Sequence, residues 1–335
     1  MNNFVLSVSD KESNHAGPKA KEDIVKFLGE KGYRNLLLHI PKSKIRKIVY
    51  SFFELHKVFH NLKADIIAFQ YPIYSLFLTK RIIKAIRRHT NAKLVLIVHD
   101  VESLRLFNDN SNHKKKETEL FNMADGLIVH NKFMSSWLKK HGVTTEMVDL
   151  EIFDYDNPQD FQKDRKYDKT VCFAGNLAKA SFLSKVSLEN GFFVYGPNPA
   201  EHYPAGIKYA GQYSPSELPK YLTQSFGLVW DGSGLSECDG VFGHYMKYNN
   251  PHKVSLYLSS GLPVVVWEKA AVADFVKKYR VGIAINDLST LEEVLNNISE
   301  EQYIQMQSNA IAIGEKMRQG FYIQHAIKKL VSSWV

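Results

Sequence analysis

Lys253 stands in the run Asn249-Asn-Pro-His-Lys-Val-Ser255. Pro251 suits the first position of a helix and Asn250 its cap, which puts Lys253 in the first helical turn. The helix macrodipole disfavours a cation there unless an anion shares the site. A diphosphate would satisfy the lysine, the dipole and the exposed backbone N–H groups together, so Asn250 and Lys253 are expected at a nucleotide. A second candidate is Phe173-Ala-Gly-Asn-Leu-Ala-Lys179. Here a buried strand ends in Gly175-Asn176 and a helix is expected to begin, leaving backbone N–H groups beside Asn176 and the charge of Lys179. That arrangement fits a phosphate or ribose cradle, and it also fits an ordinary strand-to-helix turn. His99-Asp100 ends a third apolar run. A carboxylate there could take a proton from an attacking hydroxyl, with His99 orienting it or serving as the base itself. The fourth candidate is Gly17, within Ser13-Asn-His-Ala-Gly-Pro-Lys-Ala-Lys21, where the backbone could approach a ligand and the loop could gate a cleft.

These residues need elements to hold them. In the first half, Asn35 to Ile40, Asp65 to Gln70, Lys93 to Val98 and Asp125 to His130 are continuous apolar runs, separated by helical patterns at about 17–32, 43–60, 75–90, 112–123 and 132–141. Such runs indicate a parallel sheet covered on both faces. The alternation restarts with Thr170 to Ala174, Phe192 to Tyr195, Phe226 to Trp230, Leu262 to Trp267 and Val281 to Ile285. Helices are expected there at about 214–224, 251–260, 270–278, 290–298 and 300–318, with a last one from Phe321 to Trp334. Between the halves, Glu151 to Lys169 is polar, charged and broken by Pro158, the composition of a linker. The expected fold class is α/β, with two doubly wound domains over residues 1–155 and 156–318 whose strand C-termini face a cleft. Residues 319–335 form a terminal helix that leans back on the first domain.

The length of 335 residues and 44% apolar content fit a globular chain with two real cores. Two distant cysteines exclude a disulfide framework and a four-ligand zinc site, which favours a reducing, cytoplasmic setting. Residues 1–150 carry a net +10 and the rest −2. Much of the excess lies in Lys42 to Lys47, leading into Ile48 to Phe59, and in Lys80 to Arg88, where cations interleave with apolar residues at helical spacing. The plain reading is a solvated face over a core stripe. The alternative is contact with a membrane surface or a lipid-linked anionic acceptor. No base-reading module supports nucleic-acid binding. Two metal motifs are discounted. Asp154-Tyr-Asp156 lies in the linker, and His56 and His60 have i,i+4 spacing without an intervening Glu. Neither G-x-G-x-x-G nor G-x-x-x-x-G-K-[ST] occurs, which disfavours dehydrogenases and P-loop ATPases.

The motif residues resemble a known family. Phe173 to Leu177, Phe226 to Gly232, Asn249 to Leu258 and Pro263 to Phe275 are similar to bacterial β-1,6-galactofuranosyltransferases of O-antigen and capsule assembly. Gly17 to Lys21 and His99-Asp100 match more loosely. The chain also resembles glucosyltransferases that extend N-acetylglucosamine on serine-rich-repeat adhesins. The resemblance implies a GT-B fold, a UDP-sugar held mainly by the second domain and a glycan acceptor on a lipid carrier or an adhesin. It implies that Asn176 and Lys179 meet the nucleotide, that Tyr213 flanks the uracil or ribose, and that Lys253 neutralises the diphosphate. Metal independence and a homo-oligomer are implied as well. Retaining members of this fold carry a Glu five residues before the Gly of Gly-x-Pro-Val, where this chain has Leu256. Inversion with Asp100 or His99 as base is therefore expected. A catalytically silent partner subunit is the alternative, a sugar-nucleotide epimerase a more distant one, and the transferred sugar is not legible.

Overall fold

Apolar runs become buried parallel strands in both halves of the chain. A computed structural model describes residues 2–8, 16–41, 43–73, 75–162 and 165–334. They divide into two compact units, the first holding 2–8, 17–150 and 322–334, the second holding 151–321 with Ala16.

In the first unit the strands are β1 (Asn3–Val8), β2 (Arg34–Leu38), β3 (Ile66–Tyr71), β4 (Lys93–Val98), β5 (Gly126–Val129) and β6 (Glu146–Asp149). They form one parallel sheet in the order β2-β1-β3-β4-β5-β6. Every residue of β3 and β5 is buried, as a sheet covered on both faces requires. The helix Leu76–His89 starts where the Ser75 side chain accepts from the Leu78 N–H, and it buries Leu78, Ile82, Ile83 and Ile86. The last helix, Phe321–Ser332, packs on this unit. Gln324 donates to the Phe27 carbonyl at 3.2 Å, and Leu330 lies against Gly126 so closely that a Cβ there would meet it at 2.6 Å. The stretch expected as one helix at 43–60 runs as α-helix Lys44–Val49, π-helix Tyr50–Glu54 and α-helix Leu55–Phe59.

In the second unit β7 (Val171–Ala174), β8 (Phe192–Tyr195), β9 (Ile207–Tyr209), β10 (Phe226–Val229), β11 (Val264–Trp267) and β12 (Gly282–Ile285) pair in the order β12-β11-β10-β7-β8-β9. The strand order reverses at β7, which pairs with both β8 and β10. Ser299 and Gln302 form a capping box at the start of the helix Glu300–Arg318. The expected helix at 214–224 is only a 3-10 turn, Leu218–Tyr221, with Pro219 inside it. The segment expected as a linker is partly an interior strap. Ile152, Phe153, Asp154, Tyr155 and Asn157 are buried, and the Asn157 amide donates to the Ser259 carbonyl at 3.1 Å. Its apolar residues explain the burial, which the run of charges around them hides in the sequence.

Candidate functional site

The second unit gathers its candidates where the strand order reverses. Loops leaving β7 and β10 diverge there, opening the crevice in which doubly wound sheets take their ligands. The helix His252–Ser259 is seated against these two strands by Tyr257. A Cβ at Gly227 of β10 would lie 2.4 Å from the Tyr257 ring, and the Ala174 N–H of β7 donates to the Tyr257 hydroxyl at 2.7 Å. Lys253, one turn earlier, is thereby fixed beside the turn after β7. Its Cε is 3.2 Å from where a Gly175 Cβ would stand, and its ammonium lies 4.4 Å from the Phe173 ring centroid. Lys253 Nζ also pairs with Asp231 at 2.9 Å, just past β10. That carboxylate offsets the first-turn cation, which the sequence pattern alone assigned to a bound anion.

The turn holding Asn176 is rigid. Asn176 caps a 3-10 turn, Leu177–Lys179, in place of the expected helix start, and its side chain accepts from the Ala178 N–H at 3.2 Å and the Asn198 amide at 3.0 Å. Gly196, at φ 135°, lets the loop after β8 approach so closely that a Cβ would sit 1.9 Å from the Gly175 carbonyl oxygen. Gly196 N–H donates to the Gly211 carbonyl at 3.0 Å, which brings the segment carrying Tyr213 alongside. Tyr213 stacks on Tyr221 with ring centroids 3.7 Å apart. Lys179 is exposed, its ammonium 4.3 Å from the Phe242 ring centroid. Asn250 departs from its expected place as a helix cap. Pro251 is the N-cap, and the buried Asn250 amide donates instead to the carbonyl of Glu151 at 2.8 Å, where φ is 69°.

The pairing of Asp231 with Lys253 escaped the motif reading, and the glycine-rich loop over residues 232–239 follows it. Asp239 accepts from the Ser233 backbone and hydroxyl, and these bonds hold its carboxyl below the usual range. Trp230 Nε1 donates to the Gly234 carbonyl at 3.0 Å and pins the loop to the end of β10. Neither cysteine offers a thiolate, because burial pushes the Cys172 thiol up to about 12 and raises that of Cys238 as well. Among the described residues no group of three or more His, Cys, Asp or Glu is placed to hold a metal ion.

In the first unit, Gln70 of β3 sets the state of His99. Its Nε2 donates to the Lys21 carbonyl at 3.1 Å, so its Oε1 faces His99 Nε2 at 2.9 Å. His99 Nε2 therefore donates to this amide oxygen. Asp100 pairs with Arg105 at 2.9 Å, and Arg105 reaches Glu102 at 2.6 Å. The short helix Glu102–Arg105 that presents this arginine is held by buried Glu117, which accepts from the backbone N–H groups of Glu102 and Ser103. Of the gating loop expected over Ser13 to Lys21, Ala16 onward is the start of the helix Ala16–Gly29, with Gly17 in its first turn, and Ser13 to His15 lie outside the described residues.

His130, just past β5, is buried and donates through Nε2 to the His99 carbonyl at 2.9 Å, and burial lowers its pKa to about 4. The folded chain thus resists protonating His130 while the unfolded chain accepts a proton near pH 6.5. Its contribution is complete above that pH and is lost as pH falls toward 4, by about 3 kcal/mol. Urea titrations between pH 7 and 4.5 should show that loss, and His130→Gln should flatten it.

Both halves of the chain match family models. Residues 2–152 match the N-terminal domain and residues 171–330 the C-terminal domain of glucosyltransferase 3-like proteins. The chain is 30% identical over 334 residues to the β-1,6-galactofuranosyltransferase WbbI of Escherichia coli K12, covering 94% of each. It is 24% identical over 233 residues to glucosyltransferase 3 of Streptococcus gordonii, covering 69% of this chain and 68% of that one. Among solved structures it is similar to sucrose-phosphate synthase from Thermosynechococcus elongatus, with a TM-score of 0.66 and 11% identity over 100% of this chain and 98% of the other.

Proposed function

Because the chain belongs to the glucosyltransferase 3-like family of GT-B hexosyltransferases, we propose that it moves one hexose from a UDP-sugar to a hydroxyl of a sugar acceptor, with inversion and without a metal. The supporting observation is Lys253, held by Tyr257 beside the Gly175 turn at the point where the sheet order reverses. There its ammonium and the helix N-terminus stabilise the charge that develops on the departing diphosphate. Asn176, Lys179 and Tyr213 complete the nucleotide contacts, while Asn250 serves by holding the chain at Glu151. The acceptor oxygen bonds to the anomeric carbon as the carbon–oxygen bond to phosphate breaks. UDP leaves with the electron pair, and the acceptor proton passes to a base, for which Asp100 or His99 is the candidate.

Buried Leu256 stands where retaining relatives of this fold hold the ribose with a Glu, which supports inversion. The candidate sugars are galactofuranose, glucose and N-acetylglucosamine. The acceptor is a lipid-linked glycan or a serine-rich-repeat adhesin, met in the cytoplasm by a homo-oligomer. The loop over 232–239 follows the Asp231 partner of Lys253 and is our candidate for choosing among the sugars.

The test offers each UDP-sugar with an N-acetylglucosamine-terminated acceptor and follows UDP release and the anomeric configuration of the product. One donor should be consumed, with inversion and equally in the presence of a chelator. Loss of turnover on chelation would overturn metal independence. Saturable UDP binding with no turnover for any donor would instead make the chain a silent subunit.

A further inference from the structure

The helical run over 44–59 is apolar on two sides, and only one of them is used by the fold. Tyr50, Leu55 and Phe59 face inward and are buried. Ile45, Ile48, Val49, Phe52 and Phe53 form a second stripe at positions i, i+3, i+4, i+7 and i+8, the spacing of one helix face. All five are exposed, Ile45 to 75% and Phe53 to 67%. The π-helical turn Tyr50–Glu54 ends this stripe and carries both outward phenylalanines. Arg81, from the helix Leu76–His89, donates to the Ser51 carbonyl at 3.1 Å and places its guanidinium 4.0 Å from the Phe52 ring centroid. Exposed Phe77, one turn before Arg81 on the same helix, widens the apolar surface.

Charge identifies what covers it. Residues 44–59 include Lys44, Arg46, Lys47 and Lys57 against one acid, Glu54, and exposed Lys80 and Lys84 follow on the neighbouring helix. Two copies apposed through this face would bring like charges together, and lysine is depleted in such interfaces. An apolar stripe flanked by cations has the composition of a helix lying in the headgroup region of an anionic bilayer.

We propose that this face docks the chain on an anionic lipid surface, with Ile45, Ile48, Val49, Phe52 and Phe53 entering the headgroup–acyl boundary and the flanking cations pairing with lipid phosphates. It rests on the transferase reading only for its use, which is to bring the chain to a lipid-linked acceptor. Co-sedimentation of the whole chain with vesicles of phosphatidylcholine containing about 30% phosphatidylglycerol tests it, beside pure phosphatidylcholine vesicles. Wild type should bind the anionic vesicles, release in about 0.5 M salt and ignore the neutral ones. Ile45→Asp/Phe53→Asp should bind at least about tenfold more weakly, with an unchanged melting temperature and unchanged transfer to a soluble acceptor. Absent binding by wild type, or equal binding by the variant, would overturn it. So would a dimer in ultracentrifugation that the variant abolishes without any vesicle binding, since the face would then join copies of the chain. If no donor is transferred while the vesicle results hold, the transferase reading fails and the lipid surface stands.

Discussion

Lys253→Ala is expected to weaken UDP binding and lower kcat/KM by about a hundredfold to a thousandfold, the scale of one charge-stabilising donor lost. Two effects add in this variant. The diphosphate loses its cation, and Asp231, 2.9 Å from that ammonium in the parent, is left as an uncompensated negative charge beside it. Adding Asp231→Asn to the same chain should therefore recover part of the affinity, a non-additivity that calorimetry on the two single variants and the double variant would measure. Lys253→Arg should restore less than its charge suggests, because a planar fork must fit against Gly175 and the Phe173 ring, where a lysine stem now lies. Stability should change little. The pair is partly exposed, with side chains 20% and 25% accessible, and such pairs contribute about 0–1 kcal/mol. An unchanged UDP affinity in Lys253→Ala would remove the helix His252–Ser259 from the donor site.

The second large effect is expected at the proton acceptor. His99→Gln should lower kcat by about a hundredfold to ten-thousandfold while leaving UDP affinity near that of the parent. Asp100→Asn should cost less. Its carboxylate is bonded to Arg105, and taking a proton would weaken that pair. Gln70→Leu separates the roles, since it removes the acceptor that fixes the His99 tautomer and touches neither Asp100 nor Arg105. A loss of rate in Gln70→Leu, with the acid limb of the pH–rate profile altered, marks His99 as the base. A normal rate in Gln70→Leu, with a large loss in Asp100→Asn, gives that role to Asp100.

Much of the scaffold was legible because a parallel sheet covered on both faces needs continuous apolar strands, and Lys93 to Val98 or Phe226 to Trp230 cannot easily be anything else. Two strands outside those runs, Glu146–Asp149 and Ile207–Tyr209, are short edge strands of mixed polarity, and only their partners define them. The same limit applies at the donor site. Lys253 was legible as a cation out of place in a first turn. Its partner Asp231 was not, because a single carboxylate after a strand has no periodicity to betray it. Asn250 looked like a cap by residue type, yet its amide turns toward Glu151, a contact between residues 99 apart in the sequence that no local pattern shows. The 232–239 loop was visible as a glycine-rich stretch, while the Asp239 bonds that fasten it depend on its folded shape.

The contact of Gly196 with Gly175 also bears on how this catalyst can change. Backbone meets backbone there with no side chain between, so the turn we propose for the nucleotide is written into the path of the chain. Substitution can break that turn and cannot retune it. Residues 232–239 combine both kinds of fastening: a Cβ at Gly232 would lie 2.7 Å from the Asp239 backbone nitrogen, while the Ser233 hydroxyl and the Asp239 carboxylate bond through exchangeable side chains. Under the proposed donor site, altered sugar preference has its room in the side chains of that loop, while the Gly196–Gly175 contact stays fixed.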